Sequence, residues 1–150
     1  MCSSDLRAVN AQWQRILRSG RFPRGLRRLS LILGRADGAG EEKVGDVAVR
    51  TLWWTLPLWP DLAFEAVIGH GDAILHEWLV RPDPATAPRL NGLGDLTPWS
   101  CVVGDVARQF EAVQRPGDSV PSRWHLEFTT PEGNQVADFV WGLLQEVRPA

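Results

Sequence analysis

One acidic residue, Glu77, is predicted to lie on an otherwise apolar strand face. Residues 62–68 (LAFEAVI) and 73–80 (AILHEWLV) flank the glycine-rich turn 69–72, a pattern that predicts a β-hairpin. With Gly69 opposite Asp72, Glu77 faces Phe64. The other residues of that face are Leu62, Ala66, Ile68, Ala73, Leu75 and Leu79. A carboxyl in such surroundings suits general acid or base catalysis; the alternative is an acid at the sheet margin that reaches solvent or pairs with an arginine.

The opposite face of the same hairpin carries a second acid–base pair. In the predicted register Glu65 faces His76 directly. A carboxylate that orients an imidazole is a usable proton-transfer pair. The structural interpretation of the same two residues is a cross-strand pair that contributes a few tenths of a kcal/mol.

A hairpin near the end of the chain carries the third candidate, Asp138. Residues 124–130 (WHLEFTT) and 135–141 (QVADFVW) flank the turn sequence 131–134. The simplest register sets Asp138 against Glu127, an unfavourable like-charge pair. Either a bulge at Gly133 shifts the register, or the two acids share a proton or an arginine. We rank Asp138 beside Glu77 as the functional acid.

Aromatic residues are abundant and unusual in type, with eight tryptophans and no tyrosine. Several of them could line a pocket for a flat apolar ligand. The candidate ligand-binding residues are Trp54, Phe64, Trp78, Trp124, Phe128 and Trp141. The alternative is that most of them fill the core. We find no phosphate-binding glycine loop, metal cluster or nucleophile elbow, and we expect no cofactor and no metal.

The remaining segments predict the elements that would position these side chains. Residues 5–19 repeat apolar side chains at helical spacing. A second helix is predicted from Glu41 and Glu42 to Leu56, before Pro57 and Pro60. Residues 81–98, with four prolines, predict a long loop. Residues 99–113 are ambiguous between helix and strand.

Composition restricts the class of protein. A chain of 150 residues with 44% hydrophobic and 23% charged residues is expected to form one globular domain, residues 1–150. A net charge of −2, no apolar run long enough for a bilayer and no signal peptide favour a cytoplasmic protein that binds neither membrane nor nucleic acid. Six arginines between Arg15 and Arg28 are interpreted as a solvated helix face and turn, the alternative being a phosphate-binding patch. The peptide Cys2-Ser3-Ser4-Asp5-Leu6 matches a translated sequencing adapter, so residues 1–6 are candidates for foreign sequence.

Three stretches resemble the NTF2-like superfamily, in its SnoaL-like polyketide cyclase and isomerase branch. Residues 59–80 (WPDLAFEAVIGHGDAILHEWLV) are similar to the family's pattern of aromatic-Pro-Asp-Leu, strand, Gly-Asp turn and strand. Residues 126–144 resemble its last hairpin, with Val136 and Asp138 at the apolar and acidic positions. Residues 40–56 resemble the helix before Pro-Asp-Leu. The resemblance implies an α+β cone in which N-terminal helices pack on a curved, mostly antiparallel sheet around an apolar pocket.

The resemblance also implies a function. The family's activity is cofactor-free proton transfer on a hydrophobic small molecule, by cyclisation or isomerisation, with Glu77, Asp138, His76 and Glu65 as the candidate catalytic residues. Such domains often form homodimers through the outer sheet face, here that of Glu65 and His76. The sequence departs from the family's pattern in two places. The segment Arg81-Pro82-Asp83-Pro84 replaces a Gly-Thr-His turn that is common after the second strand, and the family's frequent second acid beyond the position of Asp138 is absent. The alternatives are a non-catalytic ligand-binding or dimerisation module, or an antitoxin- or immunity-type interaction protein.

Overall fold

The computed structural model describes residues 3–114 and 122–150. These form two compact units, Met1–Arg35 and Ala36–Ala150. The first unit contains helix α1 (Ser3–Arg18) and helix α2 (Leu26–Leu33). The prediction of a helix over residues 5–19 is confirmed, and Gly34, with φ of 78°, ends α2 in a conformation that favours glycine.

The second unit begins with a four-stranded antiparallel sheet, which we call the first sheet. Its strands are β1 (Gly38–Val44), β2 (Val47–Leu56), β3 (Trp59–Ile68) and β4 (Ile74–Val80), in that order. The predicted helix from Glu41 to Leu56 is wrong, since this stretch forms the β1–β2 hairpin. Two local features explain the hairpin. Residues 47–56 are rich in β-branched and aromatic side chains, and Gly45 supplies the positive φ of the turn.

The predicted hairpin at residues 62–80 is confirmed as β3 and β4, with a different register. Ala66, rather than Phe64, lies opposite Glu77, and Trp78, rather than His76, lies opposite Glu65. The chain reverses through a short 3₁₀ turn at His70–Asp72 with a strand irregularity after Val67, instead of the tighter turn assumed. Because the register moves by two residues, each side chain stays on its predicted face.

The chain then follows a connection without strands and enters a second sheet. Residues 81–98 contain only two short 3₁₀ turns, which confirms the predicted loop. The ambiguous stretch forms helix α3 (Val103–Phe110) and the first strand of the second sheet. That sheet has the order β5 (Val113–Gln114), β6 (Arg123–Thr130), β7 (Gly133–Val140) and β8 (Leu143–Pro149), all antiparallel.

The second predicted hairpin is also confirmed, and its register shows that Glu127 and Asp138 do not face each other. Asp138 lies opposite His125, and Glu127 lies opposite Val136. The turn consists of Pro131 and Glu132 alone, so each partner moves by two residues from the simplest register. The two acids therefore share no cross-strand position.

The core of the second unit lies between the second sheet, α3 and the long loop. Its buried residues are Leu90, Leu96, Cys101, Val103, Val106, Trp124, Leu126, Phe128, Ala137, Phe139 and Leu144. Trp78 of the first sheet packs against this cluster, and the Leu79 amide donates to the Trp141 carbonyl at 2.9 Å. The fold is therefore α+β with two antiparallel sheets, and Trp78 is the first-sheet residue that packs against the core of the second. No helix among the described residues has both the length and the apolar character of a membrane span.

Candidate functional site

A histidine, an aspartate and an arginine from three adjacent strands meet on one face of the second sheet. His125 on β6 lies directly across from Asp138 on β7, and its Nδ1 is hydrogen-bonded to Asp138 Oδ1. Arg148 on β8 donates through Nε to Asp138 Oδ2 at 3.0 Å. Each oxygen of the Asp138 carboxylate therefore has a different partner. We call this group the dyad cluster.

The dyad cluster is neither deeply buried nor fully solvated. The side chains of His125 and Asp138 are 28% and 23% exposed, and that of Arg148 is 50% exposed. Val136 and Val140 lie on the same face of β7 on either side of Asp138, and Val136 is buried. A small molecule can therefore reach the polar groups, and Val140, which is half-buried, is the accessible apolar side chain beside them.

This geometry can carry proton transfer. A carboxylate on Nδ1 orients the imidazole and favours its protonated form, which is the arrangement of a histidine in general acid or base catalysis. Arg148 holds the carboxylate in place and adds positive charge. A concavity of about 320 Å³ at the β6–β7 strand ends is lined by Glu127 but by none of the three residues of the dyad cluster. Glu127 is the next residue after His125 on the same face of β6.

A second cluster, the junction cluster, lies where Trp78 of the first sheet packs against the core cluster. It consists of Glu65, His76, Trp78 and Trp124. The predicted pairing of Glu65 with His76 is wrong, because Trp78 Nε1 donates to Glu65 Oε1 at 2.9 Å. The His76 ring instead packs edge-on against Trp78 and Trp124, with centroid distances of 5.2 and 6.3 Å. Trp124 is buried and the other three are half-buried.

The surroundings of His76 make folding stability depend on pH. Burial lowers the pKa of His76, and the negative charges of Glu65 and then Glu42 partly offset that effect. The unfolded chain, in which the ordinary pKa of about 6.5 applies, therefore binds a proton more readily than the folded chain. The contribution of His76 to stability is present above that value and is lost as the pH falls from it through the folded-state pKa.

We expect an NMR titration of His76 to give a midpoint below the ordinary histidine value. Glu65→Gln keeps an acceptor for Trp78 but removes a negative charge, so the midpoint should move further down. Replacing the imidazole by His76→Phe should reduce the loss of melting temperature on acidification. A wild-type midpoint at or above the ordinary value would contradict this account.

The other predicted site residues do not converge on one pocket. Trp54 and Phe64 face each other across β2 and β3, on the side of the first sheet opposite to Trp78, with ring centroids 6.2 Å apart. Phe128 packs against Phe110 in the core at 4.8 Å. Trp141 is 42% exposed and stands in the β7–β8 turn with a positive φ of 52°.

Glu77 is buried, as predicted, but it is not an isolated acid. It lies opposite Ala66 and is 9% exposed. Glu77 also takes part in at least one further interaction. Glu77 lies on the face of β4 opposite to His76 and on a different sheet from Asp138. The four predicted catalytic residues therefore occupy three separate places.

Two members of the dyad cluster, His125 and Arg148, were not predicted from the sequence as site residues. The strand alternation of residues 124–130 would have indicated His125 if the register had placed Asp138 opposite it. Arg148 had no signal, because strand β8 was not predicted.

A buried ion pair was also not predicted. Arg81 Nε donates to both oxygens of Asp105 at 3.1 Å, and the two side chains are 8% and 1% exposed. Cys101, close in the core, is buried, and this burial raises the pKa of its thiol to about 11. No group of three or more His, Cys, Asp or Glu in the described part of the chain is arranged to hold a metal ion.

These features define an α+β protein with two antiparallel sheets, a packed aromatic core and an accessible His–Asp–Arg cluster. Neither the known protein families nor the curated protein sequences contain a significant match to this chain. Among solved structures, the chain is similar to a protein from Streptococcus mutans described as a "putative beta-lactamase inhibitor protein". The two are 10% identical, the match covers 83% of this chain and 80% of that chain, and the TM-score is 0.36. A likeness at that TM-score carries no argument about function.

Proposed function

We propose that this protein binds a hydrophobic carbonyl compound at the dyad cluster and catalyses a cofactor-free proton transfer with His125 as the base. The observation that carries the proposal is the Asp138 carboxylate, which bridges His125 Nδ1 and Arg148 Nε while His125 and Asp138 remain about a quarter exposed. An ordinary surface ion pair joins two exposed side chains, whereas Asp138 bonds to two partners and is largely buried. The half-buried side chain of Val140, on the same face beside Asp138, favours a ligand with apolar surface.

The chemical step follows from these positions. The His125 imidazole, oriented by Asp138, removes a proton from the carbon next to the substrate carbonyl, and the electron pair of that C–H bond moves into the enolate. The negative enolate oxygen is stabilised by the Arg148 guanidinium. The imidazolium, held by Asp138, then returns the proton to a different carbon. The net result is an isomerisation in which atoms and electrons balance without a cofactor.

The choice of substrate class comes from the NTF2-like, SnoaL-like resemblance, which is part of this proposal. The two stretches that support it best, residues 59–80 and 126–144, each contain a hairpin, and Asp138 is the acid at the family's position. The β1–β2 hairpin stands where the family has a helix and weighs against an NTF2-like cone. A cytoplasmic location belongs to the same proposal.

The test uses a β,γ-unsaturated ketosteroid as the probe, since its conversion to the conjugated enone raises the ultraviolet absorbance. We expect wild-type turnover, and a fall in kcat of roughly 10²–10⁴-fold for His125→Gln, because a general base is lost. Asp138→Asn should also lower kcat, since the imidazole loses its orienting carboxylate. Arg148→Gln should lower kcat if the guanidinium interacts only with the enolate. It should raise KM if the guanidinium already interacts with the bound substrate.

The matched control is His70→Gln, which removes an exposed histidine from the β3–β4 turn and should leave kcat unchanged. Melting temperatures of all variants distinguish loss of chemistry from loss of fold. If wild-type protein neither binds nor converts the steroid, the substrate class is wrong. If His125→Gln converts it at the wild-type rate, the dyad cluster is structural.

A second candidate is a non-catalytic binding or interaction protein. The observation that favours it is the packing of the predicted pocket aromatics: Trp124 and Phe128 are 7% and 5% exposed within the core cluster. Aromatic side chains that fill the core in this way stabilise the fold rather than line a ligand cavity. Wild-type protein that folds normally and shows no proton exchange with carbonyl probes would support this candidate.

A further inference from the structure

A glutamine stands on the core face of the second sheet, where the neighbouring side chains are apolar. Gln135 lies opposite Phe128 on β6 and opposite Pro149 on β8. Strand alternation places it on the same face of β7 as Ala137 and Phe139, both of which are buried in the core. Gln135 is itself only 5% exposed. A polar side chain is therefore held at the end of an otherwise apolar face.

The carboxamide of Gln135 is incompletely hydrogen-bonded within the described part of the chain. Its one bond there runs from Nε2 to the Gly133 carbonyl and is long, at 3.5 Å. A side-chain amide offers two donor hydrogens and two acceptor lone pairs, so Oε1 and one Nε2 hydrogen have no partner among the described residues. Buried polar groups are normally hydrogen-bonded, because an unsatisfied one costs free energy. The open positions of this amide indicate a binding partner from outside the chain.

The amide faces a concavity that has room for such a partner. Gln135 lines the concavity of about 320 Å³ at the β6–β7 strand ends. Its Oε1 atom is not fully enclosed by protein atoms, so a ligand in the concavity can reach it. The volume is near the lower end of the range for small-molecule sites, about 300–1,000 Å³, and is about ten times that of one water molecule. The concavity is therefore large enough for a compact organic molecule.

The other lining side chains restrict the class of that molecule. Phe128 supplies an apolar wall, and its ring packs against Phe110 with centroids 4.8 Å apart. Asn134 Oδ1 accepts from Thr129 Oγ1 at 2.9 Å, which leaves the Nδ2 group of Asn134 to donate elsewhere. Glu127 is negative and no described lining residue is basic, so an anion is disfavoured. Because Glu127 already takes part in another interaction, its charge does not select a cation.

We propose that this concavity binds a small, neutral, aromatic primary carboxamide through Gln135. An N–H of the ligand donates to Gln135 Oε1, and the ligand carbonyl accepts from the second Nε2 hydrogen, so the two amides form a pair of hydrogen bonds. Glutamine suits this pairing because its donor and its acceptor lie side by side in one plane. The aromatic ring of the ligand contacts Phe128. The site shares no residue with the dyad cluster and does not depend on the proton transfer proposed above.

The probe is benzamide, titrated into the ¹⁵N-labelled full chain while the side-chain amide signals are followed by NMR. We expect the Gln135 amide signals to shift and saturate, with a dissociation constant of about 1 mM or lower for a ligand of this size. N,N-dimethylbenzamide keeps the ring and the carbonyl but has no N–H, so the wild-type protein should bind it at least about tenfold more weakly. Benzoate should also bind more weakly, since it lacks the donor and brings a negative charge near Glu127.

A pair of variants tests the role of the glutamine. Gln135→Met replaces the carboxamide by an apolar group of similar length, so it should weaken benzamide binding at least about tenfold without lowering the melting temperature. The matched control is Gln145→Met, which changes a half-buried glutamine of β8 outside the concavity and should leave the affinity unchanged. His125→Gln should also bind benzamide normally, so a failure of the proton-transfer proposal would leave this one standing.

Unchanged Gln135 signals up to the solubility limit of benzamide would overturn the proposal and assign the open positions of the amide to water. Equal affinity of wild type and Gln135→Met for benzamide overturns it as well. So does equal affinity of the wild-type protein for benzamide and its N,N-dimethyl derivative. This comparison of two ligands decides the question even if Gln135→Met fails to fold.

Discussion

Asp105→Ala is expected to destabilise the protein by about 3–5 kcal/mol, because it leaves the charge of Arg81 buried without its partner. The Asp105 carboxylate accepts from Arg81 Nε through both oxygens, from Arg108 Nη2 at 2.9 Å and from the Val102 amide at 3.1 Å. The acid also stands in the first turn of α3, where a negative charge interacts favourably with the helix dipole. One substitution therefore removes the ion pair that holds Arg81, at the start of the long loop, and the hydrogen bond to the Val102 amide at the start of α3. Urea denaturation of wild type and variant measures the difference.

Arg108→Ala is the matched control for the buried pair. Arg108 bonds to the same carboxylate, but its side chain is 48% exposed, so its removal should cost less than about 1 kcal/mol. The double variant Arg81→Met/Asp105→Leu removes both buried charges and should recover much of the stability lost in Asp105→Ala. Equal losses for Asp105→Ala and Arg108→Ala would show that burial is not the source of the effect.

Gly142→Ala is expected to cost about 2–5 kcal/mol by combining a steric clash with an unfavourable backbone. Gly142 has φ of +80°, and a Cβ there would lie 2.4 Å from the Leu79 carbonyl oxygen and 2.9 Å from the Leu79 nitrogen. Both contacts are to backbone, which cannot turn aside as a side chain can. The substitution should push β4 from the β7–β8 turn and weaken the Leu79 to Trp141 hydrogen bond.

Gly71→Ala separates the two contributions. Gly71 has φ of +66°, and a Cβ added there would meet no other atom within 4 Å, so only the backbone cost of about 1–2 kcal/mol should appear. Thermal and urea unfolding of both variants give the comparison. If the two substitutions cost the same, then the close approach of β4 to the β7–β8 turn does not hold in solution.

Local patterns in the sequence were sufficient for several elements. Helix α1, the β3–β4 and β6–β7 hairpins and the loop at residues 81–98 follow from helical spacing, strand alternation and the positions of glycine and proline. The faces of β3 and β4 were also predicted correctly, because a register error of two residues leaves the alternation unchanged. The helix predicted before Pro57 failed because acids at a helix start and apolar spacing also fit a hairpin, whose β-branched and aromatic residues were given too little weight.

Tertiary structure alone decided which side chains meet. The partner of Asp138 depends on a two-residue turn, and that turn sets His125 rather than Glu127 across from it. Arg148 reaches the same carboxylate only because β8 pairs with β7. No local pattern in residues 143–149 predicted that strand. The composition thus predicted a globular chain with an apolar core, and local patterns predicted that it combines helix and strands. The dyad cluster, the junction cluster and the Arg81–Asp105 pair instead arise from pairings between segments distant in the chain. Such pairings depend on turn geometry and on the packing of whole elements, which side-chain periodicity within one segment does not encode.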